Sequence, residues 1–139
     1  MSQPVESPAS AGCEPVRLMV CTTCRAAGAD ADAPRPGVQL LAALGEAIGA
    51  DTDAGARVVV EPVECLSVCK RPCTVSITAP GRWTYVYGDV DPAAHAGPLV
   101  AFAAQYQATA DGLVPWRERP DFIRKGVVAR IPPLGRATP

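Results

Sequence analysis

Six cysteines stand in this 139-residue chain, and five of them fall into two groups: Cys21 and Cys24 in "VCTTCR", then Cys65, Cys69 and Cys73 in "ECLSVCKRPCTV". Thiolate is a soft donor, so grouped cysteines hold zinc or an iron–sulfur cluster, or exchange electrons as a dithiol; magnesium and calcium take oxygen ligands instead. The sixth, Cys13, lies in a leader, residues 1–15, that is rich in Pro, Ser and Ala and has no periodic pattern. That leader reads as disordered, and Cys13 is set aside as a ligand. His95 is the single histidine, which excludes a Rieske-type centre, since that needs two. The sequence contains no glycine-rich phosphate loop and no nucleophile–histidine constellation, so the chain does not read as an enzyme.

Thiols make a site only if the chain carries them to one place. "VRLMV" (Val16 to Val20) is the continuous apolar run of a buried strand and ends directly at Cys21. "VQLLAALGEAIGA" follows a loop and sets Val38, Leu41, Leu44 and Ile48 on one helical face, with Gly49 as a stop. "ARVVVEPVE" (Ala56 to Glu64) reads as a second strand, its Pro62 marking an edge or a bulge, and delivers Cys65 to its end. In a strand–helix–strand unit the two strands lie side by side, so the loops leaving their carboxyl ends face each other and Cys21, Cys24, Cys65 and Cys69 can converge. Pro72 restricts the backbone of the second thiol loop.

Beyond the thiols, "TVSITAPGRWTYVY" alternates Val75 and Ile77, then Trp83, Tyr85 and Tyr87, about an "APG" turn, the pattern of an antiparallel hairpin. Asp91 and Pro92 open a helical stretch carrying Leu99, Phe102, Ala103 and Tyr106 at helical spacing, with Asp89 and Asp91 as turn and cap residues and His95 exposed near the helix start. The order β-α-β-β-β-α is that of a thioredoxin-like α/β sandwich, one domain over residues 16–113.

Charge is uneven. Residues 1–113 hold 7 Lys/Arg against 12 Asp/Glu, a balance of −5, while 114–139 hold 6 against 2, a balance of +4. Residues 114–139 therefore read as a basic, aromatic extension, with Trp116 and Phe122 among Arg117, Arg119, Arg124, Lys125 and Arg130. Aromatic and arginine side chains are enriched at protein interfaces, which points to docking of a redox partner or a second copy; "VVARI" could also add a strand to the chain's own sheet. The acidic body and the short basic stretch speak against nucleic acid. No run reaches the roughly 18 apolar residues of a membrane span, and the start lacks the basic and apolar regions of a signal peptide. The expected place is the cytoplasm, where clustered thiols bind metal more often than they form structural disulfides.

Taken together, "VCTTCR", "ECLSVCKRPCTVSI" and "GRWTYVYGDV" resemble the thioredoxin-like ferredoxins that bind a two-iron, two-sulfur cluster, and more closely the bacterial family catalogued as domain of unknown function 1636, described as predicted metal-binding proteins. The resemblance covers about residues 16 to 131 and maps Cys21, Cys65 and Cys69, with Leu66, Pro72, Gly81 and Trp83, onto the ferredoxin pattern. It implies a two-iron, two-sulfur cofactor on Cys21, Cys24, Cys65 and Cys69 and one-electron transfer to a partner protein, with Arg25, Lys70 and Arg71 offsetting the cluster's negative charge. Cys24 follows the first cysteine by only three residues, closer than those ferredoxins place it, and Cys73 has no counterpart there. Either the first loop wraps more tightly, or Cys73 replaces one ligand, or another metal is held. The alternative is a metal-binding module with structural zinc, or a metal-handling role in cobalamin synthesis, which the resemblance suggests through the family's gene neighbours.

Overall fold

A computed structural model describes residues 15–23, 32–49, 58–67 and 71–134. Strand β1 (Val16–Cys21) is the centre of the thiol-bearing unit. Its Val16, Leu18 and Val20 are fully buried while Arg17 is exposed, so the strand packs one face on the core. Helix α1 (Pro36–Gly49) begins at a proline, whose missing N–H costs nothing at a helix start, and ends at the predicted Gly49. It crosses over to β2 (Val58–Val63), which runs parallel to β1 with Val16 opposite Val58 and Cys21 opposite Val63. β2 is an edge strand, which accounts for Pro62: a residue without a ladder donor is tolerated where one side of the strand is unpaired.

The hairpin follows as β3 (Val75–Thr78) and β4 (Thr84–Tyr87). Its turn is closed by the Arg82 N–H donating to the Ala79 carbonyl at 3.2 Å, with Pro80 and then Gly81 at φ +74° between them. Proline followed by a left-handed glycine is the signature of a type II turn. β3 pairs antiparallel with β1, so β1 lies between β2 and β3. Helix α2 (Ala96–Ala108) packs beside α1, and both helices lie against β1 and β2. Leu40 and Leu44 of α1, Leu99, Phe102, Ala103 and Tyr106 of α2, and Tyr85 and Tyr87 of β4 share one core with the inward residues of β1 and β3. The Tyr85 and Tyr87 rings stack at 5.8 Å and Phe102 meets Tyr87 edge-on at 5.9 Å, so these aromatics are packing residues.

Two expectations change. The buried stripe of α1 runs through Pro36, Gly37, Leu40 and Leu44, whereas Val38 is 52% exposed and Leu41 and Ile48 are half-buried. A helix rich in Leu and Ala all round offers several stripes of similar hydrophobicity, and close approach to β1 through Gly37 selects the one used. The basic extension, in its described part, is woven into the domain. After a turn of 3₁₀ helix (Trp116–Glu118) and a short helix α3 (Asp121–Gly126), strand β5 (Val127–Ile131) pairs antiparallel with β4, giving the sheet order β2-β1-β3-β4-β5. Val114 and Ile123 are buried in the common core, so the boundary drawn at residue 113 does not separate two packing units. No described helix is long and apolar enough to cross a membrane.

Candidate metal centre

Cys21 is the last residue of β1, and the backbone on both sides fixes it. Its N–H donates to the Thr74 carbonyl at 3.0 Å, on the β3 side. On the β2 side, the N–H of Thr22 reaches the Val63 carbonyl at 2.9 Å and the Thr22 hydroxyl reaches the same oxygen at 3.1 Å. The Thr23 hydroxyl then donates to the Glu64 carbonyl at 2.5 Å. The two threonines of "CTTC" thus extend the parallel pairing past the end of the strands, and the consequence falls on the thiols: the Cys21 Sγ lies 3.8 Å from the carbonyl oxygen of Glu64, the residue joined directly to Cys65. The helix side is equally close. A Cβ on Gly37 would stand 1.8 Å from the Cys21 carbonyl oxygen, so a side chain there is incompatible with the present seat of α1.

The two thiols differ in access. Cys21 is 2% exposed, within 3.7 Å of the Thr23 hydroxyl, whereas Cys65 is exposed. The Cys65 Sγ accepts the N–H of Ser67 at 3.2 Å, and Ser67 itself takes a positive φ of 61°. Cys73 enters from the other side of β1: it is 1% exposed, part of the core, and its carbonyl accepts the Val90 N–H at 3.1 Å. Among the described residues, no three Cys, His, Asp or Glu side chains form a group able to hold a metal ion, so Cys73 does not complete a trio with Cys21 and Cys65. Cys24 and Cys69, the other two expected ligands, and Cys13 lie outside the described residues, as do Arg25 and Lys70.

Arg71, expected to balance cluster charge, is committed elsewhere. Its Nε pairs with the Asp89 carboxylate at 2.8 Å and its Nη2 donates to the Lys125 carbonyl at 3.2 Å, while the Asp89 N–H returns to the Arg71 carbonyl at 3.0 Å. The loop leading into Cys73 is thereby tied to the residue after β4 and to the end of α3. Asp89 holds a left-handed turn position at φ 59°. Asp91 caps the turn before α2, and its carboxyl is held below the ordinary value by the N–H groups of Ala93 and Ala94 at 2.8 and 3.2 Å. His95 is half-buried rather than exposed: its ring stacks on Phe122 at 4.1 Å and its Nδ1 accepts the Asp91 N–H at 2.8 Å. Phe122 had no visible partner in the sequence because a stack between α2 and α3 is a contact of distant segments.

No curated protein matches the chain. A thioredoxin-like two-iron, two-sulfur ferredoxin from Aquifex aeolicus is similar at 21% identity over 89% of this chain and 99% of its own, with a TM-score of 0.59. The wild-type crystal structure of the thioredoxin-like ferredoxin from the same organism gives 17% identity, 84% and 98% coverage, and a TM-score of 0.53. These are likenesses of fold, and they identify the five-stranded sheet with its helices as the thioredoxin-like ferredoxin architecture. The model of a family described as protein of unknown function, DUF1636, matches residues 18–133, which takes in all but the first two residues of the sheet, both long helices and the three described thiols. The chain belongs to that DUF1636 family.

Proposed function

We propose that the protein is a ferredoxin-like electron carrier that binds a two-iron, two-sulfur cluster through Cys21, Cys24, Cys65 and Cys69, and that it has no catalytic activity of its own. The observation that carries this reading is the pinning of Cys21 beside the Glu64–Cys65 peptide, with the Cys21 Sγ 3.8 Å from the Glu64 carbonyl. The two described donors, Cys21 and Cys65, fit the group: they are sulfur atoms at neighbouring carboxyl ends of parallel strands, and one already receives an N–H. When bound, such a cluster supplies a one-electron couple. The chain supplies the rest. The buried Cys21 keeps water from one side, the exposed Cys65 leaves a short path for a partner, and the amide of Ser67 orients the Cys65 sulfur. The expected partner is a redox protein, or a second copy, in a reducing compartment.

Anaerobic purification followed by visible spectroscopy and iron and sulfide analysis tests the reading. A red-brown protein with about two irons and two sulfides per chain, titrating as a one-electron couple, is expected. A colourless protein with one zinc per chain, even after anaerobic reconstitution, would replace the electron carrier by a zinc-binding or metal-handling module.

A further inference from the structure

Where β1 gives way to the first thiol loop, three atoms form a small triangle: the Cys21 Sγ, the Thr23 Oγ1 and the carbonyl oxygen of Glu64. Its edges are 3.7 Å from Sγ to Oγ1, 3.8 Å from Sγ to the carbonyl and 2.5 Å from Oγ1 to the carbonyl. While Cys21 is a thiol the triangle holds two hydrogens, one on sulfur and one on the hydroxyl, and the carbonyl can only accept. The short edge is the Thr23 hydroxyl donating to Glu64. The sulfur can then give its own hydrogen to either oxygen.

Ligation changes this count. A cysteine that binds a metal has lost its hydrogen, so its sulfur turns from donor to acceptor. Of the two oxygens beside it, the Glu64 carbonyl has nothing to give, whereas the Thr23 hydroxyl carries a hydrogen that rotates to suit its acceptor. A bond to an ionised acceptor is about twice as strong as one between neutral groups, which offsets the longer reach to sulfur. Cys21 is 2% exposed, so water is poorly placed to supply that hydrogen instead. We infer that Thr23 tunes the metal centre by turning its hydroxyl from the Glu64 carbonyl to the Cys21 sulfur on loading, a role that rests on Cys21 being a ligand, as proposed above, and not on which metal is held. A hydrogen given to a ligand sulfur favours the more negative, reduced state and so raises the reduction potential. Cys65 is served differently, by the main-chain N–H of Ser67 at 3.2 Å, so the adjustable side-chain donor belongs to the Cys21 side.

Two substitutions in the full chain separate the hydroxyl from the shape of the side chain: Thr23→Val removes the hydroxyl and keeps the branch, and Thr23→Ser does the reverse. Each protein is loaded anaerobically with iron and sulfide and, separately, with cobalt(II), whose thiolate charge-transfer absorption reports the ligand sulfurs without an iron cluster. Thr23→Val is expected to lower the midpoint potential of the iron-loaded protein by an amount equal to about a tenfold change in the reduction equilibrium, about 59 mV for a one-electron couple. It is also expected to move the cobalt charge-transfer band to longer wavelength, because a sulfur without its donor gives up electron density more easily. Thr23→Ser should match the wild type in both. If cobalt loads and iron with sulfide does not, the electron-carrier reading fails and the cobalt band alone decides the role of Thr23. That role is overturned by a Thr23→Val protein whose band and potential match the wild type, by Thr23→Ser shifting as Thr23→Val does, or by a wild-type chain that takes up neither metal. Failure of Thr23→Val to load while Thr23→Ser loads would overturn it too, making the hydroxyl a structural tie to Glu64.

Discussion

Cys21 and Cys65 are 44 positions apart in sequence, yet the Sγ of one lies 3.8 Å from the carbonyl that precedes the other, because Thr22 and Thr23 continue the pairing of β1 with β2 beyond the strands. Cys73 has a different environment, inside the core at 1% exposure. These surroundings separate two roles that serine substitution can distinguish. Serine at Cys21 or Cys65 is expected to abolish or distort the visible absorption, and serine at Cys13 to leave it intact. At Cys73 the expected effect is on the fold: replacing a buried thiol of the core by a smaller, more polar hydroxyl costs about 1–3 kcal/mol, read by urea denaturation, with the spectrum retained. Cys24→Ser is the counterpart, expected to remove the spectrum. Should Cys73→Ser bleach the protein while Cys24→Ser does not, the ligand set proposed above is wrong.

The elements reach their places through close approaches that sequence patterns do not display. Gly37 reads as an ordinary helix-start residue, but its missing side chain is what lets α1 rest on the Cys21 carbonyl, 1.8 Å from where a Cβ would stand. Gly37→Ala must push the helix off the strand end, at an expected cost of about 1–3 kcal/mol or more. Because the displaced atom belongs to Cys21, the absorption of the metal-loaded protein should shift as well. Gly45 on the same helix supplies the control. A Cβ there meets nothing within 4 Å, so Gly45→Ala should stabilise by about 0.5–1 kcal/mol through helix propensity alone. Denaturant midpoints of the two variants moving in the same direction would refute the close-approach argument.

For the molecule as a whole, the decisive feature is closure of the sheet by the basic C-terminal segment. Charge asymmetry and the Trp116 and Phe122 pair suggested a docking extension; in the fold, β5 covers the edge of β4, Val114 and Ile123 enter the core, and Phe122 stacks on His95. A chain ended near Gly112 loses all of these and leaves β4 as an open edge, so it is expected to unfold or aggregate rather than persist as a monomer with its metal site. Ile123→Ala isolates one contribution and should cost about 2–5 kcal/mol, the range for emptying a buried aliphatic site. Circular dichroism and denaturation of both proteins check this. A truncated chain with full secondary structure and wild-type stability would return residues 114–139 to the status of an appendage.

By itself the sequence determined the kind and order of the main elements and which strand ends carry Cys21 and Cys65, because those depend on local properties. An apolar run makes a strand, period-two alternation makes a hairpin arm, Pro80-Gly81 makes its turn, and Pro62 marks an edge. Tertiary structure decided what pairs with what: β1 between β2 and β3, β5 on β4, Cys73 in the core, Arg71 tied to Asp89 and Lys125, and Arg82 buried without a counter-charge. It also rotated α1 so that Leu40 and Leu44 face inward while Val38 faces solvent. The physical reason is common to all of these. Each is fixed by contacts between segments far apart in the chain, where several faces or edges offer nearly equal burial and the choice goes to the arrangement in which the whole core closes at once.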